Sequence, residues 1–154
     1  MSERIYIDTC ALNRPTDDQL QARIRTETEA ISKVLDAAAE NAVDWVASSI
    51  LFAELSRNPD RQRRRDTLRF LSMASEFVRP TPTTFSRAEQ LRADGYGEFD
   101  ALHFAIAEET GVMSLLSVDD RFIGRAALRP AETLPIVENP VEWCRRKQLW
   151  LIKR

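Results

Sequence analysis

The stretch Phe99–Phe122, FDALHFAIAEETGVMSLLSVDDRF, decides how the rest of the chain is read. Between Asp100 and Thr110 the apolar residues Ala101, Phe104, Ala105 and Ala107 recur at helical spacing, with Leu102 and Ile106 alongside. Gly111 stands where a helix stop belongs. The run Val112–Val118 that follows is short, nearly all apolar and bounded by glycine and aspartate. That is the pattern of a strand buried on both faces, hence of a parallel sheet. A helix of about 11 residues covers roughly 16 Å, and a strand of five or six covers roughly 18 Å. The return nearly cancels the outward path, so Asp100 at the helix start and Asp119 at the strand end are expected to face each other.

Two acids in such places are common as caps and turn residues, so the question is whether others reach the same edge. Arg4–Asp8 reads as a first strand ending in an acid, Asp8. Thr16-Asp17-Asp18 supplies helix-start chemistry for a long amphipathic helix, Asp17–Glu40, with a stripe of Leu20, Ile24, Ile31, Leu35 and Ala38. Asp44–Ala47 is a second strand, and Ser48 or Ser49 caps a helix that carries Glu54 in its first turns. An Arg-rich segment follows Asn58-Pro59-Asp60, with Arg61–Arg65 at the solvated start of another helix. Glu76–Pro80 is a third strand, Thr83 or Thr84 caps a helix through Leu91, a short helix lies near Arg125–Leu128, Leu134–Val137 is a weak fifth strand, and Asn139-Pro140 starts a terminal helix. Strands alternating with helices predict an α/β three-layer sandwich around a mostly parallel sheet of about five strands, a single domain over residues 1–154. Ligands of such sheets bind outside the carboxyl ends of the strands. Asp8, Glu54, Asp100 and Asp119 all converge there.

Composition narrows the chemistry. The chain has 154 residues, 44% hydrophobic and 30% charged, with a net charge of −2. It has no apolar run of bilayer length and no leader of signal-peptide type, so a soluble, cytoplasmic protein is expected. Cys10 and Cys144 make no disulfide framework or metal pair. The sole histidine, His103, lies inside the helix after Asp100 and is read as a surface or partly buried residue, which leaves no independent base for a nucleophilic cysteine. Four clustered carboxylates need a counter-charge. Mg2+ or Mn2+ is the natural one, because these ions take carboxylate and water oxygens and bridge to phosphate. A phosphodiester is then the expected substrate. A receiver or phosphatase would need a lysine at this edge, and Lys33, Lys147 and Lys153 are badly placed. Six arginines crowd one stretch (Arg57, Arg61, Arg63, Arg64, Arg65, Arg69), and Arg61, Arg63, Arg64 and Arg65 are read either as an RNA contact or as a solvated face.

Asp8 in IYIDTCALNRP, Glu54 in SSILFAEL, Asp100 in FDALHFAIAEETG and Asp119 in LLSVDDRF resemble, in order, the acidic motifs of PIN-domain nucleases. Many of these are ribonuclease toxins of the virulence-associated protein C type. The resemblance implies a metal-dependent endoribonuclease in which Asp8, Glu54, Asp100 and Asp119 bind the metal and are catalytic. Thr9 and Ser117 would support these ligands, Ser117 standing two residues before the last acid. It assigns that last position to Asp119 rather than Asp120, because the family pattern sets it three residues before Phe122. It also implies a homodimer restrained by an antitoxin protein. Apolar residues of Asp17–Glu40 and the tail residues Trp143, Leu149, Trp150 and Ile152 are read either as core or as such an interface. A non-catalytic RNA- or protein-binding domain that keeps the acids is the alternative.

Overall fold

The computed structural model describes residues 2–148. In them β1 (Glu3–Ile7), β2 (Val43–Ser48), β3 (Glu76–Val78), β4 (Ser114–Leu116) and β5 (Ile136–Glu138) alternate with helices. The helices are α1 (Thr9–Leu12), α2 (Ala22–Ala39), α3 (Ser49–Ser56), α4 (Arg61–Leu71), α5 (Pro82–Ala93), α6 (Glu98–Glu109), α7 (Asp120–Ala126) and α8 (Pro140–Arg146). The strands pair in parallel in the order β3-β2-β1-β4-β5. The chain builds the sheet outward from β1 to β3, then returns to set β4 on the other side of β1. Strand order therefore reverses between β1 and β4, which opens a crevice at their carboxyl ends.

Period-two alternation divides the sheet into two apolar faces. Ile5, Ile7, Trp45, Ala47 and Leu116 pack on one side with Ile31, Val34 and Leu35 of α2 and Val141 and Trp143 of α8. Tyr6, Val46 and Leu115 pack on the other with Ala88 and Leu91 of α5, Phe104 and Ile106 of α6 and Phe122 of α7. Helices cover both faces, as a parallel sheet requires, and the three-layer α/β sandwich is the architecture found. Trp143 belongs to the core, whereas Leu149, Trp150 and Ile152 lie outside the described residues. Among the described residues no helix is long and apolar enough to cross a membrane.

Several boundaries differ from the sequence reading. Helix α2 begins at Ala22, not Asp17, because Thr16-Asp17-Asp18 is spent on a loop. Arg14 binds the Asp17 carboxylate at 2.8 Å, the Gln19 amide donates to the Arg14 and Asp17 carbonyls, and Asp18 accepts the Leu20 N–H. Leu20 is consequently outside the helix and 82% exposed, while Ile31, Leu35 and Ala38 are consumed by the core and offer no interface. Thr81, rather than Thr83 or Thr84, caps α5, and Thr84 closes a capping box from the third helical position. The helix predicted near Arg125–Leu128 starts earlier, at Asp120, because Asp119 caps it. Gly111 does end α6: at φ +69° it lets the Val112 and Gly111 N–H groups reach back to the Ala107 and Glu108 carbonyls.

Candidate active site

Asp8 and Asp119 are held where a strand gives way to a helix, and Glu54 is the sixth of the eight residues of α3. Asp100 lies in the first turn of α6, which follows α5 rather than the strand its sequence suggested. Asp8 follows β1 and its N–H still bonds the Leu116 carbonyl of β4 at 3.0 Å, while its carboxylate caps α1 by accepting the Ala11 N–H at 3.1 Å. Asp119 caps α7 by accepting the Arg121 and Phe122 N–H groups at 2.9 and 3.4 Å. Ser48 ends β2 and caps α3 through the Leu51 N–H, which fixes the helix that carries Glu54. Helix α6 starts two residues earlier than predicted, with Gly97 at its cap, so Asp100 is its third residue. The four carboxylates come together: Asp100 feels the charges of Asp8, Asp119 and Glu54.

Behind Glu54 runs a chain of hydrogen bonds that sequence reasoning missed. His103 is not at the surface but 1% exposed. Its Nε2 meets Glu54 Oε1, and its Nδ1 lies 2.6 Å from the Tyr6 hydroxyl, which is 2.7 Å from Ser48 Oγ. The Tyr6 hydroxyl thus bridges His103 Nδ1 and Ser48 Oγ, and His103 Nε2 faces the Glu54 carboxylate. Burial raises the Tyr6 pKa and keeps it a neutral donor. Thr9 donates to the same Glu54 oxygen at 2.8 Å. Ser117 accepts the Asp119 N–H at 3.1 Å and lies 3.5 Å from the Cys10 thiol, which itself donates to Asp8. The available clue to this chain was that His103 sits three residues after Asp100, on the same helix face, and that Tyr6 points to that layer from β1.

Charge distribution sets the four acids apart. Several other carboxylates are neutralised by arginine. Buried Glu27 binds Arg14 at 2.8 Å and Arg23 at 3.1 Å, and Asp120, Glu76, Glu108 and Glu138 each hold an arginine. Among the described residues no lysine or arginine pairs with Asp8, Glu54, Asp100 or Asp119. Burial raises the pKa of Asp8, with Ser117, His103, Ala11 and Cys10 pulling it back. Asp100 is raised to about 6, by burial first and then by Asp8, Asp119 and Glu54, against the opposing pull of His103. This donor set, all oxygen and short of cations, suits a hard divalent ion. No three of the described His, Cys, Asp and Glu side chains already close on one metal position. An ion that keeps several of its waters does not require such a cage.

The PIN domain family model matches residues 5–128. The chain belongs to the PIN-domain family. No curated protein matches it. Among solved structures, VapC20 of Mycobacterium tuberculosis, described as a Sarcin-Ricin loop cleaving toxin, is similar over 78% of this chain and 93% of its own, with TM-score 0.58 and 17% identity. VapBC2 from Rickettsia felis, solved bound to a DNA fragment from their promoter, is similar over 88% of this chain and 98% of the matched chain, with TM-score 0.61 and 18% identity. At these identities the likeness is one of fold.

The two neighbouring acids of this PIN domain differ in their partners. Asp120 is exposed and bound twice by Arg23, at 2.8 and 2.9 Å, which lowers its pKa, whereas Asp119 caps α7. The four arginines predicted for RNA divide. Arg63 is bound to Asp17 and Thr16 and Arg64 to the Asn58 carbonyl, so both are engaged within the protein, while Arg61 and Arg65 are exposed.

Proposed function

We propose that this PIN domain is an endoribonuclease that hydrolyses RNA phosphodiester bonds with Mg2+ or Mn2+ held by Asp8, Glu54, Asp100 and Asp119. The observation that carries the reading is the contrast in charge: buried Glu27 is paired with two arginines, whereas among the described residues no lysine or arginine pairs with these four acids. A bound divalent ion supplies that counter-charge and the Lewis acidity that phosphodiester hydrolysis needs. The protein's own groups position the acids. Asp8 and Asp119 are fixed by capping bonds, and Glu54 by His103 and Thr9. Cys10 is kept a neutral thiol by burial and by Asp8, which leaves water as the nucleophile.

The VapC fold of its structural neighbours supports a toxin of a toxin–antitoxin pair with an antitoxin protein as its restraining partner, and a cytoplasmic homodimer is part of the same proposal. The deciding experiment incubates the purified protein with single-stranded and structured RNA in Mg2+, in Mn2+ and in EDTA, beside Asp8→Asn. Cleavage in metal, lost in EDTA and in Asp8→Asn with an unchanged melting temperature in metal-free buffer or a higher one, is expected. Full activity in EDTA would overturn the mechanism. Absence of cleavage under every condition would leave the non-catalytic binding module instead.

A further inference from the structure

A cavity of about 440 Å³ opens against Asp100 and Asp119, between the turn that joins α5 to α6 and helix α7. Its volume lies in the range of ligand pockets that seat a small organic group. Two glycines, Gly97 and Gly124, stand in its wall. A Cβ at Gly97 would stand 3.5 Å from Asp100 Oδ2, beside the approach to that carboxylate. A Cβ at Gly124 would meet no atom within 4 Å. Glycine inside a helix weakens it, and packing gives no reason for one at 124, because a side chain there would enter free space.

The rim of the same cavity carries Arg121 and Arg125. Arg125 is fixed: its Nη1 donates to the Asp94 carbonyl at 3.0 Å, and its guanidinium fills the place of a side chain at Gly95, whose Cβ would stand 2.6 Å from it. Arg121 is exposed and holds no ion pair among the described residues. The cavity thus sets two arginines on its rim beside Asp100 and Asp119, which no lysine or arginine of the described residues pairs, and beside Asp120, whose charge Arg23 holds. An occupant must present negative charge to the arginines and, one step along, a further negative charge that metal at the acids would neutralise. A phosphodiester chain has that periodic charge, and a base turned out of its stack has the size for the space between. Such a base is offered by a single strand and withheld by a duplex.

We propose that this cavity seats one nucleotide of single-stranded RNA next to the bond presented to the acids, with Arg121 and Arg125 on its phosphate. The proposal rests on the ribonuclease reading, so its test uses binding rather than cleavage. In an Asp8→Asn background with Mg2+, fluorescence anisotropy measures the affinity for a short fluorescein-labelled single-stranded RNA of mixed sequence, and for the same sequence as a duplex. Gly124→Trp is expected to fill the cavity and weaken single-strand binding by roughly tenfold or more, the loss of one seated base. Gly124→Ala should bind like the parent. Arg121→Gln should weaken binding and reduce the salt slope by roughly 0.7. Thermal melts of the Gly124 variants should match or exceed that of the parent.

Unchanged affinity in Gly124→Trp would overturn the proposal. So would an equal loss for the duplex, or a parent that does not bind the single strand. Should Gly124→Trp melt early, the salt slope of Arg121→Gln decides alone, and an unchanged slope counts against the proposal. Failure of the ribonuclease reading registers separately, as the wild type leaving RNA uncut in metal.

Discussion

Replacing Asp100 with asparagine should make the metal-free protein more stable while removing its activity. The Asp100 carboxyl is raised from 3.8 to about 6 by burial and by Asp8, Asp119 and Glu54. At about 1.4 kcal/mol per pH unit, that is about 3 kcal/mol against the ionised form in the folded state. The group is partly exposed, and solvent screening leaves about 1–2 kcal/mol. The folded value lies above the unfolded one, so the stability linked to this proton is complete below about pH 4. It is lost as pH rises through 6. Asparagine has no such loss. In EDTA at pH 7.5, Asp100→Asn should therefore melt higher than wild type by roughly 2–8 °C, and the gap should close at pH 4. Paired thermal melts across that range measure it. A variant no more stable than wild type at pH 7.5, or a gap independent of pH, would refute the argument that the acids repel one another in the absence of metal.

Adding Mg2+ or Mn2+ should raise the melting temperature of wild type, by the equivalent of about 2.7 kcal/mol at a hundredfold excess over the dissociation constant, and should do so far less in Asp8→Asn. Calorimetry of the two proteins checks this. His103→Leu leaves the Tyr6 hydroxyl without its His103 partner and Glu54 with Thr9 alone, so it should cost about 1–3 kcal/mol in urea unfolding and lower metal-dependent cleavage, with His103→Gln retaining more of both. Wild-type cleavage in His103→Leu would deny Glu54 its positioning partner. Glu27→Ala removes one partner each from Arg14, Arg23 and the Asn139 amide, for a loss of about 2–3 kcal/mol on the same assay. Neutralising Arg61 and Arg65 together should flatten the salt dependence of RNA binding by roughly 0.7 per lost contact, whereas Arg63→Gln should cost stability of about 1 kcal/mol through Asp17.

The positions of Asp8 and Asp119 were legible because strand ends are local patterns, and a parallel sheet brings its carboxyl ends to one edge whatever the exact boundaries. Asp100 shows the tolerance: its helix starts two residues earlier than its periodicity suggests and follows another helix, yet the carboxylate still feels the charge of Asp8. What could not be read depends on side chains meeting across layers. His103 looks like any polar residue on an amphipathic helix until Tyr6, 97 residues away in sequence, is known to point at it. The start of α2 was misplaced because Asp17 is a good cap in isolation and a better partner for Arg14 and Arg63 once α4 is packed nearby. Likewise the basic cluster is one run in the sequence and two populations in space, since a helix sends Arg63 and Arg64 to partners and Arg61 and Arg65 to water.

The position of β4 has a consequence during synthesis. It lies beside β1 at the centre of the sheet but is the fourth strand made, and it leads directly to Asp119. A nascent chain that has emerged only through α6 can pair β1, β2 and β3, yet it lacks the neighbour that accepts the Asp8 N–H and the carboxylate that completes the cluster. The set of four acids proposed to hold the metal stays incomplete until Asp119 is out and β4 docks beside β1. Under the ribonuclease reading, a partly made chain is therefore kept inactive by its topology alone.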